Sequence, residues 1–78
     1  MSYYPIFVDL EGEKVIVVGG GGVAQRKIET LLTHGAVVHV ISRELTPVLN
    51  RYKEEGQIKF LNREFKGKDL QGAFLVIA

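Results

Sequence analysis

The chain has 78 residues, 46% of them hydrophobic and 24% charged, which is the composition of one ordinary globular domain and not of a disordered segment. Ten basic and nine acidic residues are scattered without a basic stripe, which argues against a nucleic-acid partner. Cysteine is absent, so a disulfide-stapled secreted scaffold is excluded and a reducing cytoplasm is the expected setting. No basic segment followed by an apolar stretch opens the chain, and no apolar run approaches the roughly 18 to 20 residues that cross a bilayer, so no membrane partner is expected.

Tyr3 to Leu10 mixes apolar residues around Pro5 and reads as an extended arm or an edge strand, with Tyr3, Tyr4 and Phe7 as packing residues. After the polar turn Glu11-Gly12-Glu13, the run Lys14 to Val18 carries four consecutive β-branched residues. They do not alternate with polar ones, so this strand should be buried on both faces, as a central parallel strand is. Gly19 to Gly22 breaks the strand. A helix is predicted from Gly21 or Gly22 to His34, with Val23, Ala24, Ile28, Leu31 and Leu32 as its apolar stripe and Gly35 as its stop. His34 belongs to the negative end of that helix, where a histidine is favoured.

A second strand is predicted at Val37 to Ile41, with His39 a packed or edge residue. Thr46-Pro47 opens a second helix, Thr46 as N-cap and Pro47 in the first turn, with Val48, Leu49 and Tyr52 turned inward and Gly56 ending it. Ile58 to Leu61 is the third strand, Lys66 to Gln71 a polar connection with room for one helical turn, and Phe74 to Ala78 an apolar fourth strand. Strands alternating with helices imply a parallel sheet joined by right-handed crossovers. A helix normally covers the last strand of such a sheet, so residues 1–78 are expected to be the N-terminal part of a longer protein.

The chemistry-bearing segment is Gly19-Gly20-Gly21-Gly22-Val23-Ala24, which fits G-x-G-x-x-A with Gly19, Gly21 and Ala24 at the key places. The first glycine permits the tight turn, the second lets a pyrophosphate approach the backbone, and the small third residue brings helix and strand together. Free N–H groups and the dipole at the helix start favour an anion. The pattern is weak in isolation. Between a β-branched strand and an amphipathic helix it specifies an open parallel α/β sheet of the Rossmann type, here about four strands with helices, binding a dinucleotide. No Gly-Lys-Ser/Thr follows, so the loop is not of the Walker type. Arg26 and Lys27 lie one turn into the helix and read as a solvated face that adds positive potential.

Beyond the second strand comes Ser42-Arg43-Glu44, where an acid often holds the ribose hydroxyls. Ser42 can hydrogen-bond a ribose hydroxyl, Arg43 can stack on adenine or meet a 2′-phosphate, and Glu44 can reach the ribose. These residues alone leave NAD and NADP both open, and solvated loop charges are a third reading. Asp9, Glu29 and Asp69 form no pair suited to acid–base work, and no metal-ligand spacing or catalytic residue is assigned.

Tyr4-Pro5-Ile6-Phe7, the turn before Lys14, Val17 to Gly21, Val23 to Lys27, Leu31-Leu32 with Gly35-Ala36, and Leu75 to Ala78 together resemble the siroheme synthase N-terminal domain family. That family comprises precorrin-2 dehydrogenases and sirohydrochlorin ferrochelatases. The resemblance implies NAD as cofactor and oxidation of precorrin-2, a tetrapyrrole, to sirohydrochlorin. It also implies a homodimeric parent protein and, in many members, insertion of Fe²⁺. It places NAD contacts at Gly22 and Val23 and at Arg43 and Glu44, although the latter pair differs from the apolar or small residues often seen there. It also places the family's catalytic aspartate after the equivalent of Ala78. A non-catalytic Rossmann module that senses nucleotides, as in a potassium-uptake regulator, is the competing reading. The Pro-Ile-Phe arm and the Arg26-Lys27 pair favour the dehydrogenase.

Overall fold

The computed structural model describes residues 2–78. Its elements in chain order are β1 (Lys14–Val18), α1 (Gly22–Thr33), β2 (Val37–Ser42), α2 (Pro47–Glu54), β3 (Lys59–Asn62), a single 3-10 turn (Gly67–Leu70) and β4 (Leu75–Ile77). The four strands form one parallel sheet in the order β3-β2-β1-β4.

β1 occupies the middle of that sheet, and Val15, Ile16 and Val17 are buried as their unbroken β-branched run requires. Alternation sends Val15 and Val17 to one face, with Val38 and Val40 beside them in register. Against this face pack Ile28 and Leu31 of α1, Leu49 of α2, and Ala36 and Ile58 from the strand entries. Full burial of each such aliphatic side chain contributes about 1.5–3 kcal/mol, so a core of this kind can hold a small domain together. Ile16, His39, Ile41 and Leu61 belong to the opposite face, which Lys68, Asp69 and Gln71 of the β3–β4 connection overlie. That connection takes the chain back past β2 and β1 to the far side of the sheet. It therefore creates a switch in strand order between β1 and β4.

Local chemistry fixes the boundaries. Thr46 Oγ1 accepts the Leu49 N–H at 3.1 Å and so caps α2, with Pro47 in the first turn where its missing N–H costs nothing. His34 Nδ1 lies 2.8 Å from the Thr30 carbonyl at the end of α1. The connection before β4 is held by Asp69. Its carboxylate takes both arms of the Arg63 guanidinium, Nη1 at 2.7 Å, and also the Lys66 N–H at 2.8 Å.

Several expectations are corrected. The arm forms no strand: Pro5 cannot donate to a ladder, and of this segment Leu10 is the residue that packs against the core. Tyr3, Tyr4 and Phe7 are exposed, Phe7 fully, and are not packing residues within this chain. Val23 leaves the apolar stripe and is 59% exposed. At about 100° per residue it lies some 140° around the helix from Ile28. β2 runs one residue further than expected, to Ser42, and β3 is shifted one residue along, because the register pairs Ser42 with Asn62. β4 is shorter at both ends, and Phe74 is half exposed before it. Among the described residues, no helix is long and apolar enough to cross a membrane.

The titrating groups predict the acid sensitivity of this fold. Burial, then the positive charges of Lys14 and Lys59, lower the His39 pKa. The unfolded chain therefore binds that proton at higher pH than the folded chain, and stability falls as pH drops below about 6.5. The Arg63 bridge and the Lys66 N–H hold the Asp69 carboxyl well below the usual carboxylate range. Its contribution is complete above the unfolded value of 3.8 and is lost as pH falls through the folded value. In thermal melts from neutral to acid pH, His39→Gln should flatten the upper part of the decline and Asp69→Asn the lower part. A decline unchanged in both variants would contradict this assignment.

Candidate dinucleotide site

The glycine loop connects β1 to α1 at the carboxyl ends of the strands. Two backbone bonds hold it against the end of β2: Gly19 N–H donates to the Ile41 carbonyl at 3.0 Å, and Thr46 N–H donates to the Gly20 carbonyl at 3.0 Å. Gly19 has φ +128°, a conformation that side-chain-bearing residues rarely adopt. A Cβ built on it would lie 3.8 Å from the Ala24 Cβ, so the small residue at position 24 does lie close to the turn, as the motif requires.

Gly20 is buried, and a Cβ there would lie only 1.9 Å from the Glu44 carbonyl oxygen. The motif treats this position as free, and the sequence reading did not single it out. The signal was present in the glycine run, which is longer than the fingerprint demands. The β2–α2 loop passes directly over this residue, and no side chain fits between.

Gly21 is the N-cap of α1, has ordinary extended geometry, and would direct a Cβ into open space. It has no side-chain cap to offer, and no acidic residue stands in the first turn. The first turn therefore supplies no anionic side chain of its own to the N–H groups at the start of the helix. Gly22 and Val23 follow, both exposed at the helix mouth.

Two clefts meet at Gly21. The first, of about 500 Å³, is lined by Gly20, Gly21, Ser42, Arg43, Glu44, Leu45 and Thr46 and lies at the end of β2. The second, of about 320 Å³, lies on the β4 side and is walled mainly by β1 with its glycine loop, the first turn of α1, Lys27, Ile77 and Ala78. All the residues singled out for cofactor binding thus fall around one track. Gly19, Gly21, Gly22, Val23 and Ala24 belong to the β4 side, and Ser42, Arg43 and Glu44 to the β2 side.

Ser42 Oγ accepts the Glu44 N–H at 3.2 Å and keeps its own proton to donate. Arg43 and Glu44 are exposed, and Arg43 Nε stands 3.9 Å from Glu64 Oε1. Gln25 is a further unforeseen contributor: its Oε1 accepts from Thr46 Oγ1 at 2.7 Å, joining the first turn of α1 to the cap of α2. Tyr52 repeats the link lower down, donating to Glu29 Oε2 at 2.9 Å, and that carboxylate raises the phenol pKa. The loop and both helix starts are thus fastened together beneath the clefts. His39, Arg26 and Asp69 line neither cleft.

A track of this kind, at a switch in strand order and beneath an uncapped helix N-terminus, defines a dinucleotide-binding α/β domain. A protein-family model described as "Putative NAD(P)-binding" matches residues 6–78, and the chain belongs to that family. Siroheme synthase 1 of Serratia proteamaculans is 45% identical over all 78 residues, which span 16% of that protein. Siroheme synthase of Neisseria meningitidis serogroup C is also 45% identical, again over 16% of its length, and that of Actinobacillus pleuropneumoniae is 42% identical. Among solved structures, the precorrin-2 dehydrogenase SirC superposes with a TM-score of 0.87 at 32% identity. That match covers 97% of this chain and 39% of the SirC chain. The resemblance read from the sequence is therefore upheld over the whole chain, and the chain spans about a sixth of the curated relatives it matches.

Neighbouring glycines should fail in different ways. Gly20→Ala should lower the thermal midpoint, costing about 1–3 kcal/mol as overpacking does, because backbone and not a flexible side chain occupies the Cβ position. Gly21→Val should melt close to the parent chain yet lose dinucleotide binding in a titration. Equal stability of the two variants would overturn this account of the loop.

Proposed function

We propose that residues 1–78 form the NAD-binding domain of a precorrin-2 dehydrogenase of siroheme biosynthesis, acting in the cytoplasm as part of a homodimeric protein. The observation that carries the reading is the pair of clefts meeting at Gly21, one on each side of the switch in strand order. Their placement suits a molecule with two nucleoside halves joined by a pyrophosphate. The relatives support the substrate class, since they are siroheme synthases and a precorrin-2 dehydrogenase.

The residues present fit the group. The space into which a Gly21 Cβ would project is open, and the helix start beside it lacks an acid. Gly21, Gly22 and Val23 would hold the pyrophosphate through backbone N–H groups. Ser42 and Glu44 would take the adenosine ribose, Ser42 as donor and Glu44 as acceptor, while Arg43 would face adenine. Gly19 and Ala24 keep the turn and the helix close enough for this. When bound, NAD would supply the hydride acceptor.

The chain's own groups bind and orient; they do not manage the departing proton. Among the described residues, the cleft on the β4 side is lined by no carboxylate side chain, and Lys27 has its one ionisable side chain. In the parent protein, the acid–base group and the walls for a large carboxylated tetrapyrrole, and iron insertion where it occurs, are proposed to come from residues beyond this domain. This division follows the siroheme synthase resemblance.

Calorimetric titration should show saturable one-site binding of NAD to this chain. An anaerobic assay of NADH formation from precorrin-2 should show no turnover by the same chain. Loss of positioning and of acid–base help each cost several powers of ten in rate. Turnover within about tenfold of a full-length relative would place the chemistry inside residues 1–78 and overturn the division proposed.

A further inference from the structure

Among the described residues, Arg43 is the only basic one lining the cleft at the end of β2. An arginine at this position is the usual means of accepting a 2′-phosphate, because its planar fork matches the phosphate oxygens. Arg43 is not isolated, however. Register pairs Ser42 with Asn62 at the ends of β2 and β3, so the segment following β3 lies alongside the segment following β2. Two residues beyond Asn62, Glu64 brings Oε1 to 3.9 Å from Arg43 Nε. The intervening Arg63 is committed to Asp69 and does not line the cleft. Glu44 stands at the same rim. One carboxylate thus stands beside the guanidinium, and a second acidic residue lines the same cleft, where a phosphate monoester carrying about −1.5 to −2 charges at neutral pH would have to sit.

We propose that Glu64 is a cofactor-specificity residue that acts by engaging Arg43, biasing the cleft toward a dinucleotide whose adenosine ribose lacks a 2′-phosphate. The proposal rests on the dinucleotide-binding reading above and deepens it. Glu64 itself lines neither cleft and makes no backbone contact with the glycine loop. The side chains of the pair are 69% and 79% exposed, so the contact adds little to stability and its removal spares the fold. What it changes is the orientation and net charge of the one cation available to a 2′-phosphate.

The test is titration of NAD and NADP into the chain at low ionic strength, with Glu64→Gln, Arg43→Ala and the double variant. Glu64→Gln should leave NAD affinity unchanged and raise the NADP-to-NAD affinity ratio about 1.5-fold to fivefold, the range expected for an exposed pair. The gain should shrink as salt is added, since salt weakens exposed ion pairs. It should vanish in the Arg43→Ala background. An unchanged ratio in Glu64→Gln, or an equal gain without Arg43, would overturn the role given to Glu64. Failure of the parent chain to bind either dinucleotide would instead overturn the reading on which it rests.

Discussion

The site depends on one close approach of backbone to backbone. The carbonyl of Glu44 lies where a side chain on Gly20 would be, and the flanking bonds from Gly19 to Ile41 and from Thr46 to Gly20 fix that approach. A loop of four glycines would otherwise have great conformational freedom and a corresponding entropic cost of ordering. Here its first half is fastened to β2 and its second half starts a helix. Gly21 therefore presents an open position at a defined place, although the residue itself has no steric constraint.

The same approach couples elements far apart in sequence. Because the β2–α2 loop crosses Gly20, the cap of α2 lies beside the first turn of α1, and Gln25 can bond to Thr46. Thr46 then serves four partners: the Gly20 carbonyl through its N–H, the Asn50 N–H through its carbonyl, the Leu49 N–H through its hydroxyl oxygen, and Gln25 through its hydroxyl proton. A residue chosen by local capping chemistry thus also carries the tertiary joint under the cleft at the end of β2. Hydrogen bonds of this kind are individually modest, but their partners are half-buried and costly to leave unsatisfied.

Sheet topology supplies the rest of the site. Both helices pack on the face formed by Val15, Val17, Val38 and Val40, while the β3–β4 connection crosses the other face, pinned by the Arg63–Asp69 fork. The two routes diverge beside β1 and, among the described residues, leave open a crevice at the carboxyl end of β1, where ligands of such sheets bind. Sequence identity of 32% with SirC sustains a TM-score of 0.87, as expected when strand burial and the glycine turn dominate the fold.

By itself the sequence determined the elements whose causes are local. The β-branched run placed β1, the spacing of Val23, Ala24, Ile28, Leu31 and Leu32 placed α1 even though Val23 turns outward, Thr46-Pro47 placed the start of α2, and the glycine pattern located the loop. Family likeness was legible for the same reason, since its motifs are short and contiguous. Contacts between distant residues needed the tertiary structure. The requirement for glycine at position 20, the Gln25–Thr46 and Arg43–Glu64 pairings and the exposure of Val23 and Phe7 all depend on which strands become neighbours and in what register. Sequence periodicity reports which face of an element turns inward. It carries no information about what lies opposite, and that is set only when the parallel strands close at their observed spacing.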